Sequence, residues 1–220
     1  MTVLHEPAEP LIDFVFVHGL RGGSRKTWSK SANPAHFWPK EWLPLEPHFK
    51  HVRIHTFGYN SDWMERKGSI VTVHDFGQAL LGEIYNSPSV GGPGIGTPIV
   101  FVAHSMGGIV VKKVLVLAKQ DPYYHDLADR IHSMFFLATP HRGSDSAQLL
   151  GAVLQAPGVY GGKSYVENLV PNSEAIHTIN DQFRHVNQDI QLWSFFETTA
   201  TTIGLIVEKD SAILVSSIPS

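Results

Sequence analysis

The chain has 220 residues, a length that suits a single domain. Hydrophobic residues make up 43% and charged residues 17%, values that exclude a disordered chain, a coiled coil and a collagen-like fibre. A net charge of -3 argues against nucleic acid as a partner, and the absence of cysteine excludes disulfides, cysteine zinc sites and a cysteine nucleophile.

The first half of the chain predicts two strands and a helix. Residues 11–17 are apolar and aromatic apart from Asp13, which favours a buried strand, and residues 51–59 alternate like a strand near a sheet edge. Residues 27–47 are rich in tryptophan and fit neither period, so we expect an irregular excursion over the surface. Apolar residues at helical spacing predict a helix over residues 69–85.

The second half alternates strands and helices after a loop rich in glycine and proline at residues 86–98. The apolar patterns predict strands at residues 99–103, 133–138, 190–196 and 203–207, and helices at residues 107–120, 146–155 and 173–187. Strands that alternate with helices imply an α/β fold, in which a mostly parallel sheet has helices on both faces.

One short segment between a strand and a helix carries the strongest chemical signal. Ala103-His-Ser-Met-Gly107 has the spacing of a nucleophile elbow, with Ala where the pattern usually has Gly. A serine at such a sharp turn has strained dihedral angles, so the residues two before and two after it must be small. We interpret Ser105 as the candidate nucleophile; the alternative is a serine in an ordinary strand-to-helix loop.

Two backbone N–H groups are candidate oxyanion donors. Met106 follows the candidate nucleophile at the start of a predicted helix, so its N–H can face a developing negative charge. His18-Gly-Leu20 follows the first predicted strand, where hydrolases of this architecture place the second donor. We therefore assign the donors to Leu20 and Met106; the alternative for the early loop is a glycine-rich turn with a packed histidine.

A carboxylate after a late strand supplies a candidate triad acid. The triad order in this fold is serine, acid, histidine, and Glu197 both follows Ser105 and comes directly after the predicted strand at residues 190–196. A solvated glutamate is the alternative reading, and Asp210 and Asp189 are the next candidates for the acid.

His141 lies where a catalytic group could also stand, because loops at the carboxyl ends of parallel strands build the active sites of open α/β sheets. Pro140 beside it favours instead a structural corner of the chain. Three further histidines have ligand-like gaps in sequence but form no zinc motif: His48, His51 and His55. We expect neither a metal site nor a cofactor.

In chain order these motifs resemble a known family, the lipase-like serine esterases related to SERAC-type proteins and GPI inositol deacylases. The resemblance extends from about residue 12 to about residue 213 and rests on six segments: His18-Gly-Leu-Arg-Gly-Gly, Thr27-Trp28, Phe57-Gly-Tyr59, Ala103-His-Ser-Met-Gly-Gly, Thr139-Pro-His-Arg-Gly-Ser and Ser194-Phe-Phe-Glu-Thr. In fungi, similar domains open longer proteins that continue with NACHT, ankyrin or tetratricopeptide regions. The resemblance thus implies fusion to further domains.

The resemblance implies an α/β-hydrolase fold and a serine hydrolase of the esterase or lipase type, which acts on a small-molecule ester or a lipid acyl group through an acyl-enzyme. By position, Ser105 matches the nucleophile, Glu197 the acid, and Leu20 and Met106 the oxyanion donors. SERAC-type relatives associate with mitochondrial and endoplasmic reticulum membranes. The location implied is therefore intracellular, either cytoplasmic or peripheral to those membranes.

The sequence departs from the family at the catalytic histidine, which the family places beyond the acid. No histidine follows His185, which itself precedes Glu197, so the order serine, acid, histidine is not completed before Ser220. We expect a single domain over residues 1–220 that lacks its C-terminal end. The alternatives are a catalytically inactive hydrolase-fold module for signalling or partner binding, and a substitute base such as His141.

The sequence predicts no membrane anchor. No apolar run reaches the roughly 18–20 residues that span a bilayer. Glu6, Pro7, Glu9 and Pro10 stand where a signal peptide would be apolar. Together with the absence of cysteine, this favours an intracellular protein and leaves peripheral membrane contact open.

Overall fold

The structure, a computed structural model, describes residues 1–60, 73–92, 95–141 and 169–196. Within these ranges the strands are β1 (Thr2–His5), β2 (Ile12–Val17), β3 (Val52–Phe57), β4 (Ile99–His104), β5 (Ile131–Leu137) and β6 (Gln191–Phe195). They form one sheet in the order β1-β3-β2-β4-β5-β6. Neighbouring strands run parallel, except that β1 pairs antiparallel with β3. The carboxyl ends of β2, β4, β5 and β6 therefore meet at one edge.

The helices of the described part are α1 (Trp38–Glu41), α2 (Val73–Tyr85), α3 (Gly107–Gln120), α4 (His125–Arg130) and α5 (Leu169–Val186). On one face of the sheet, α3 packs against both α2 and α5, and its buried side chains form the centre of the larger core. None of these helices is long and apolar enough to cross a membrane.

The opposite face is covered by the tryptophan-rich excursion. It folds into α1 and short 3-10 turns at Lys26–Trp28, Pro34–His36, Leu43–Leu45 and Pro47–Phe49. A second core lies beneath it, formed by Phe16, Trp28, Phe37, Val52, Ile54 and Val102. The aromatic side chains of the excursion cover this face of the sheet in place of a long helix. Its sequence therefore has no helical period.

The mostly parallel α/β architecture predicted from the sequence is confirmed, and α3 has the predicted bounds. Other elements differ: α4 is not predicted, and β5 begins at Ile131 rather than residue 133. The sequence does not predict β1, because its four partly exposed residues are too few to show alternation. Helix α5 begins at Leu169 rather than residue 173, since Pro171 falls in the first turn, where proline removes no hydrogen bond. The helix predicted at residues 146–155 and the strand at 203–207 lie outside the described residues.

A buried polar cluster lies at the opposite edge of the sheet, near the amino ends of β2 and β3. Asp13 is fully buried and accepts hydrogen bonds from Arg53 Nε (2.7 Å), Arg53 Nη2 (3.1 Å), His55 Nε2 (3.0 Å) and Thr97 Oγ1 (2.5 Å). Burial alone would raise the pKa of Asp13, but the hydrogen bonds from His55, Arg53 and Thr97 outweigh it and lower that pKa. The cluster fixes the strand register far from the loops that follow β2 and β4.

Candidate active site

Ser105 occupies a strained turn between β4 and α3. Its φ is 52°, in the left-handed region that non-glycine residues rarely adopt, and it is 6% exposed. Its N–H donates to Leu137 O (2.8 Å), and its carbonyl accepts from Gly108 N (3.0 Å) and Thr139 Oγ1 (3.1 Å). The strand, turn and helix expected around Ser105 are thus present. Its catalytic role stays a prediction.

The small residues after Ser105 are required by close packing. A Cβ at Gly107 would lie 2.5 Å from His18 O and closer still to Val17 O, while one at Gly108 would overlap the side chain of Thr139. Such contacts would force the helix away from the segments that follow β2 and β5. The glycine pair therefore lets α3 begin directly against both of them.

The loop after β2 reaches the elbow from the other side. A Cβ at Gly19 would lie 2.7 Å from Ser105 Cβ, 2.8 Å from His104 O and 3.2 Å from Met106 N, so only glycine fits there. Among the described residues, no group accepts a hydrogen bond from the N–H of Leu20 or of Met106. Gly19 is thus next to Met106 in space and next to Leu20 in sequence, and the residue Met106 is only 2% exposed.

His18 is fully buried, and its ring is held by Tyr59. The two rings stack with centroids 4.3 Å apart and planes 9° apart. His18 Nδ1–H donates to Gly19 O (2.9 Å), and Nε2 accepts from Tyr59 N–H (3.3 Å). Tyr59 OH donates to His18 O (2.7 Å), and burial raises the pKa of that hydroxyl. Both ring nitrogens of His18 are therefore occupied.

His141 has its nitrogens occupied as well. Lys112 Nζ lies 2.7 Å from His141 Nδ1 and 2.6 Å from Asn180 Oδ1, and His141 Nε2 lies 3.4 Å from Ser194 Oγ. Burial and the neighbouring Lys112 lower the pKa of His141 to about 2, so its ring is neutral at any working pH. The structure thus places His141 at a corner that joins β5, α3, α5 and β6.

Lys112 is a fully buried lysine with no carboxylate partner among the described residues. Burial, reinforced by the charge of Arg184, holds the pKa of Lys112 well below its usual range. Besides its hydrogen bonds, Nζ lies over the rings of Phe136 and Phe183, 5.4 and 5.3 Å from their centroids.

No described histidine hydrogen-bonds Ser105 Oγ. Burial, together with the neighbouring His18, lowers the pKa of His104, whose ring lies edge-on to Trp28 at 6.4 Å. The proton acceptor that Ser105 needs is thus not found among the described histidines in this conformation.

The candidate acids are only partly within the described residues. Glu197 and Asp210 lie outside them, so the assignment of Glu197 stays a prediction. Strand β6 ends at Phe195, beside β5 and parallel to it, so its carboxyl end lies at the same sheet edge as Ser105. Asp189 precedes β6 at the far edge and is exposed, which removes it as a candidate.

Backbone strain in the described residues is confined to this edge. The non-glycine residues with positive φ there are Arg21 (55°), Ser105 (52°) and Ala138 (49°). They follow β2, β4 and β5 respectively, at the three loops that converge around the elbow. Residues in sparsely populated backbone conformations cluster at functional sites, so their placement supports a site here.

The parallel sheet with a strained serine after β4, beside loops that follow the neighbouring strands, is that of an α/β-hydrolase. The chain belongs to the PGAP1-like alpha/beta domain family, which matches residues 12–149. Protein SERAC1 of Danio rerio is 29% identical over 92% of this chain and 33% of that protein, and SERAC1 of Homo sapiens is 28% identical over 89% and 32%. The chain spans about a third of the length of these relatives.

A solved structure shares this fold. Phospholipase PlaB from Legionella pneumophila, in complex with thio-NAD, superposes with a TM-score of 0.50 at 22% identity, over 79% of this chain and 34% of that chain. The resemblance to lipase-like SERAC-type and inositol-deacylase domains and the predicted α/β-hydrolase fold are thereby confirmed.

Sequence reasoning missed two residues near the elbow. Tyr59 enters the sequence analysis only within the segment Phe57-Gly-Tyr59, although its position two residues after β3 places it beside β2. Lys112 interrupts the apolar run of residues 109–117, and this interruption is the available signal, since a lysine on the buried face of a helix needs a partner.

Proposed function

We propose that the chain is a serine hydrolase of the esterase or lipase type, acting on an ester or lipid acyl group through an acyl-enzyme. The observation that carries the proposal is Ser105 at φ 52° between β4 and α3, with the Gly19 loop packed against it. The N–H groups of Leu20 and Met106, from which no described residue accepts a hydrogen bond, support it further, because a buried donor such as that of Met106 rarely lacks an acceptor unless a ligand supplies one.

In this proposal Ser105 Oγ attacks the carbonyl carbon while a histidine accepts the hydroxyl proton. The carbonyl π electrons move to oxygen, and the N–H groups of Leu20 and Met106 stabilise the resulting oxyanion. Collapse of this intermediate expels the alcohol, protonated by the histidine, and water then releases the acid by the same steps. Glu197 orients the histidine. Each oxyanion donor contributes roughly 10²–10³-fold to kcat in such sites.

The substrate class and the setting belong to the same proposal. A lipid acyl group is supported by the family and by a fold relative that is a phospholipase. Relatives about three times as long support further domains attached to this one. An intracellular location, cytoplasmic or peripheral to mitochondrial or endoplasmic reticulum membranes, rests on the resemblance to SERAC-type proteins.

A second candidate function is a catalytically inactive module that binds a partner or transmits a signal. The occupied ring nitrogens of His18 and His141 favour it, since neither histidine can accept the proton of Ser105 without breaking its contacts. The two candidates therefore differ in whether Ser105 is reactive, and that reactivity can be measured directly.

Labelling with a fluorophosphonate probe tests the proposal. We expect covalent labelling of the chain and of a matched control, Ser133→Ala, which removes a different buried serine. Ser105→Ala is expected to lose the label. Equal labelling of all three proteins, or labelling of none, would favour the inactive module.

Turnover of p-nitrophenyl esters tests the role of the base. We expect slow turnover of this chain, because an oxyanion hole and binding without a complete triad leave only about 10³–10⁴-fold over water. Loss of substantial turnover in both Ser105→Ala and His141→Ala would make His141 the base and contradict the structural role assigned to it.

A further inference from the structure

From these contacts we infer that His18 and Tyr59 are positioning residues, which set the direction of the Leu20 N–H toward the substrate oxyanion. This inference rests on the proposed function for the identity of the anion. The juxtaposition that carries it is the hydrogen bond from His18 Nδ1 to Gly19 O, made by a ring that Tyr59 holds in place.

The hydrogen bond from His18 acts on the very peptide group that carries the donor. The carbonyl of Gly19 and the N–H of Leu20 belong to one planar trans peptide, in which the two groups point in opposite directions. A donor that fixes the carbonyl therefore also fixes where the N–H points. Gly19 O accepts both His18 Nδ1–H (2.9 Å) and Gly22 N–H (3.2 Å), so the plane is held by two donors.

The same two hydrogen bonds polarise the peptide. Hydrogen bonds to a carbonyl strengthen its own N–H as a donor, because chains of hydrogen bonds reinforce one another. The Leu20 N–H is thus both oriented and made a better donor before any substrate arrives. Such preorganisation is what oxyanion stabilisation requires.

Tyr59 fixes the ring of His18 and its tautomer. Its N–H donates to Nε2, which places the proton of the neutral ring on Nδ1, the nitrogen that faces Gly19 O. The stacked phenol prevents rotation of the ring, and its hydroxyl holds the His18 carbonyl at 2.7 Å. Gly107 of α3 also lies against the His18 carbonyl, so the peptide between His18 and Gly19, which precedes the donor peptide, is confined on two sides.

Nitrogen NMR of the full chain, labelled with ¹⁵N-histidine and ¹⁵N-leucine, tests the inference without activity. We expect the proton of His18 on Nδ1, and an upfield move of the Leu20 amide proton in His18→Ala. His18→Asn should keep the shift near that of the parent, because its amide N–H can stand where Nδ1–H was. A proton on Nε2, or a Leu20 amide that stays unmoved in folded His18→Ala, would overturn the inference.

Fluorophosphonate labelling rates add the functional readout. We expect a fall of roughly tenfold or more in His18→Ala and a smaller fall in Tyr59→Phe, while His18→Asn keeps most of the rate. Tyr123→Phe, an exposed tyrosine at the far end of α3, is the matched control and should be unchanged.

Two comparisons keep the result decisive. If His18→Ala does not fold, His18→Asn is compared with His18→Gln, whose amide instead reaches the place of Nε2; equal rates would contradict the inference. If the parent is labelled no faster than Ser105→Ala, the proposed function fails, whereas the Leu20 amide shift still decides the orientation of the peptide.

Discussion

Substitution of Gly107 by alanine is expected to lower the fluorophosphonate labelling rate of a chain that still folds. The added Cβ would lie 2.5 Å from His18 O and 3.0 Å from His18 C, whereas ordinary contacts begin near 3.4 Å. The loop after β2 or the start of α3 must therefore move by roughly 1 Å. A misplacement of about 1 Å can lower the rate about 10²-fold, because in the proposed mechanism the Leu20 N–H would no longer meet the oxyanion.

The substitution should also lower the free energy of unfolding. Overpacking of this kind costs about 1–3 kcal/mol, and alanine recovers up to about 1 kcal/mol of helix propensity. We expect Tm to fall by at most about 12 °C, measured by thermal unfolding beside the fluorophosphonate labelling rate.

Gly82→Ala is the matched control for this substitution. Gly82 lies inside α2, and a Cβ there meets nothing within 4 Å. We expect the free energy of unfolding to rise by about 1 kcal/mol and the labelling rate to stay unchanged. If folded Gly107→Ala is labelled as fast as the parent, the close approach of α3 to His18 does not position the donor.

Three further predictions concern stability. The substitution Asp13→Asn should lower the free energy of unfolding by about 3–5 kcal/mol above about pH 5, because it breaks a buried ion pair. Since the pKa of Asp13 is lowered in the folded state, this loss should shrink as pH falls below about 4. Urea unfolding above about pH 5 and below about pH 4 measures the loss, and an equal loss in the two conditions would contradict the reasoning. The lowered pKa of Lys112 means that the unfolded chain binds the extra proton, so parental stability should rise with pH toward about 10. In Lys112→Met the free energy of unfolding should no longer rise with pH. The same dependence on pH in the variant and the parent would contradict the prediction. Ser105→Gly should be about 1 kcal/mol more stable than Ser105→Ala, because glycine adopts φ 52° without strain; equal Tm values would refute this.

The turn at Ser105 could be predicted from the sequence because its causes are local. Five consecutive residues contain both the strain and the small neighbours that permit it, so the spacing from Ala103 to Gly107 suffices. The loop after β2 could be predicted almost as well, because Gly19 follows a strand with a clear apolar pattern. The catalytic roles of Ser105 and Glu197 stay predictions.

The supports of this turn could not be predicted, because they join distant parts of the chain. Tyr59 meets His18 across 41 residues, through the parallel pairing of β2 with β3. Lys112 is buried because α3 packs between α2 and α5, and no local pattern tells a buried lysine from an exposed one. Such contacts depend on strand order, which the sequence pattern leaves open.

The bonds that hold the turn at Ser105 also bear on folding kinetics. Ser105 is joined to Leu137 and Thr139, which lie 32 and 34 residues later, so its strained backbone is supported only once β4 and β5 have paired. Long-range parallel pairing forms slowly. If the strain is absent from the folding transition state, its relief in Ser105→Gly should slow unfolding about fivefold and leave the refolding rate unchanged. A chevron plot would show this, and a faster refolding limb would place the turn within the folding nucleus.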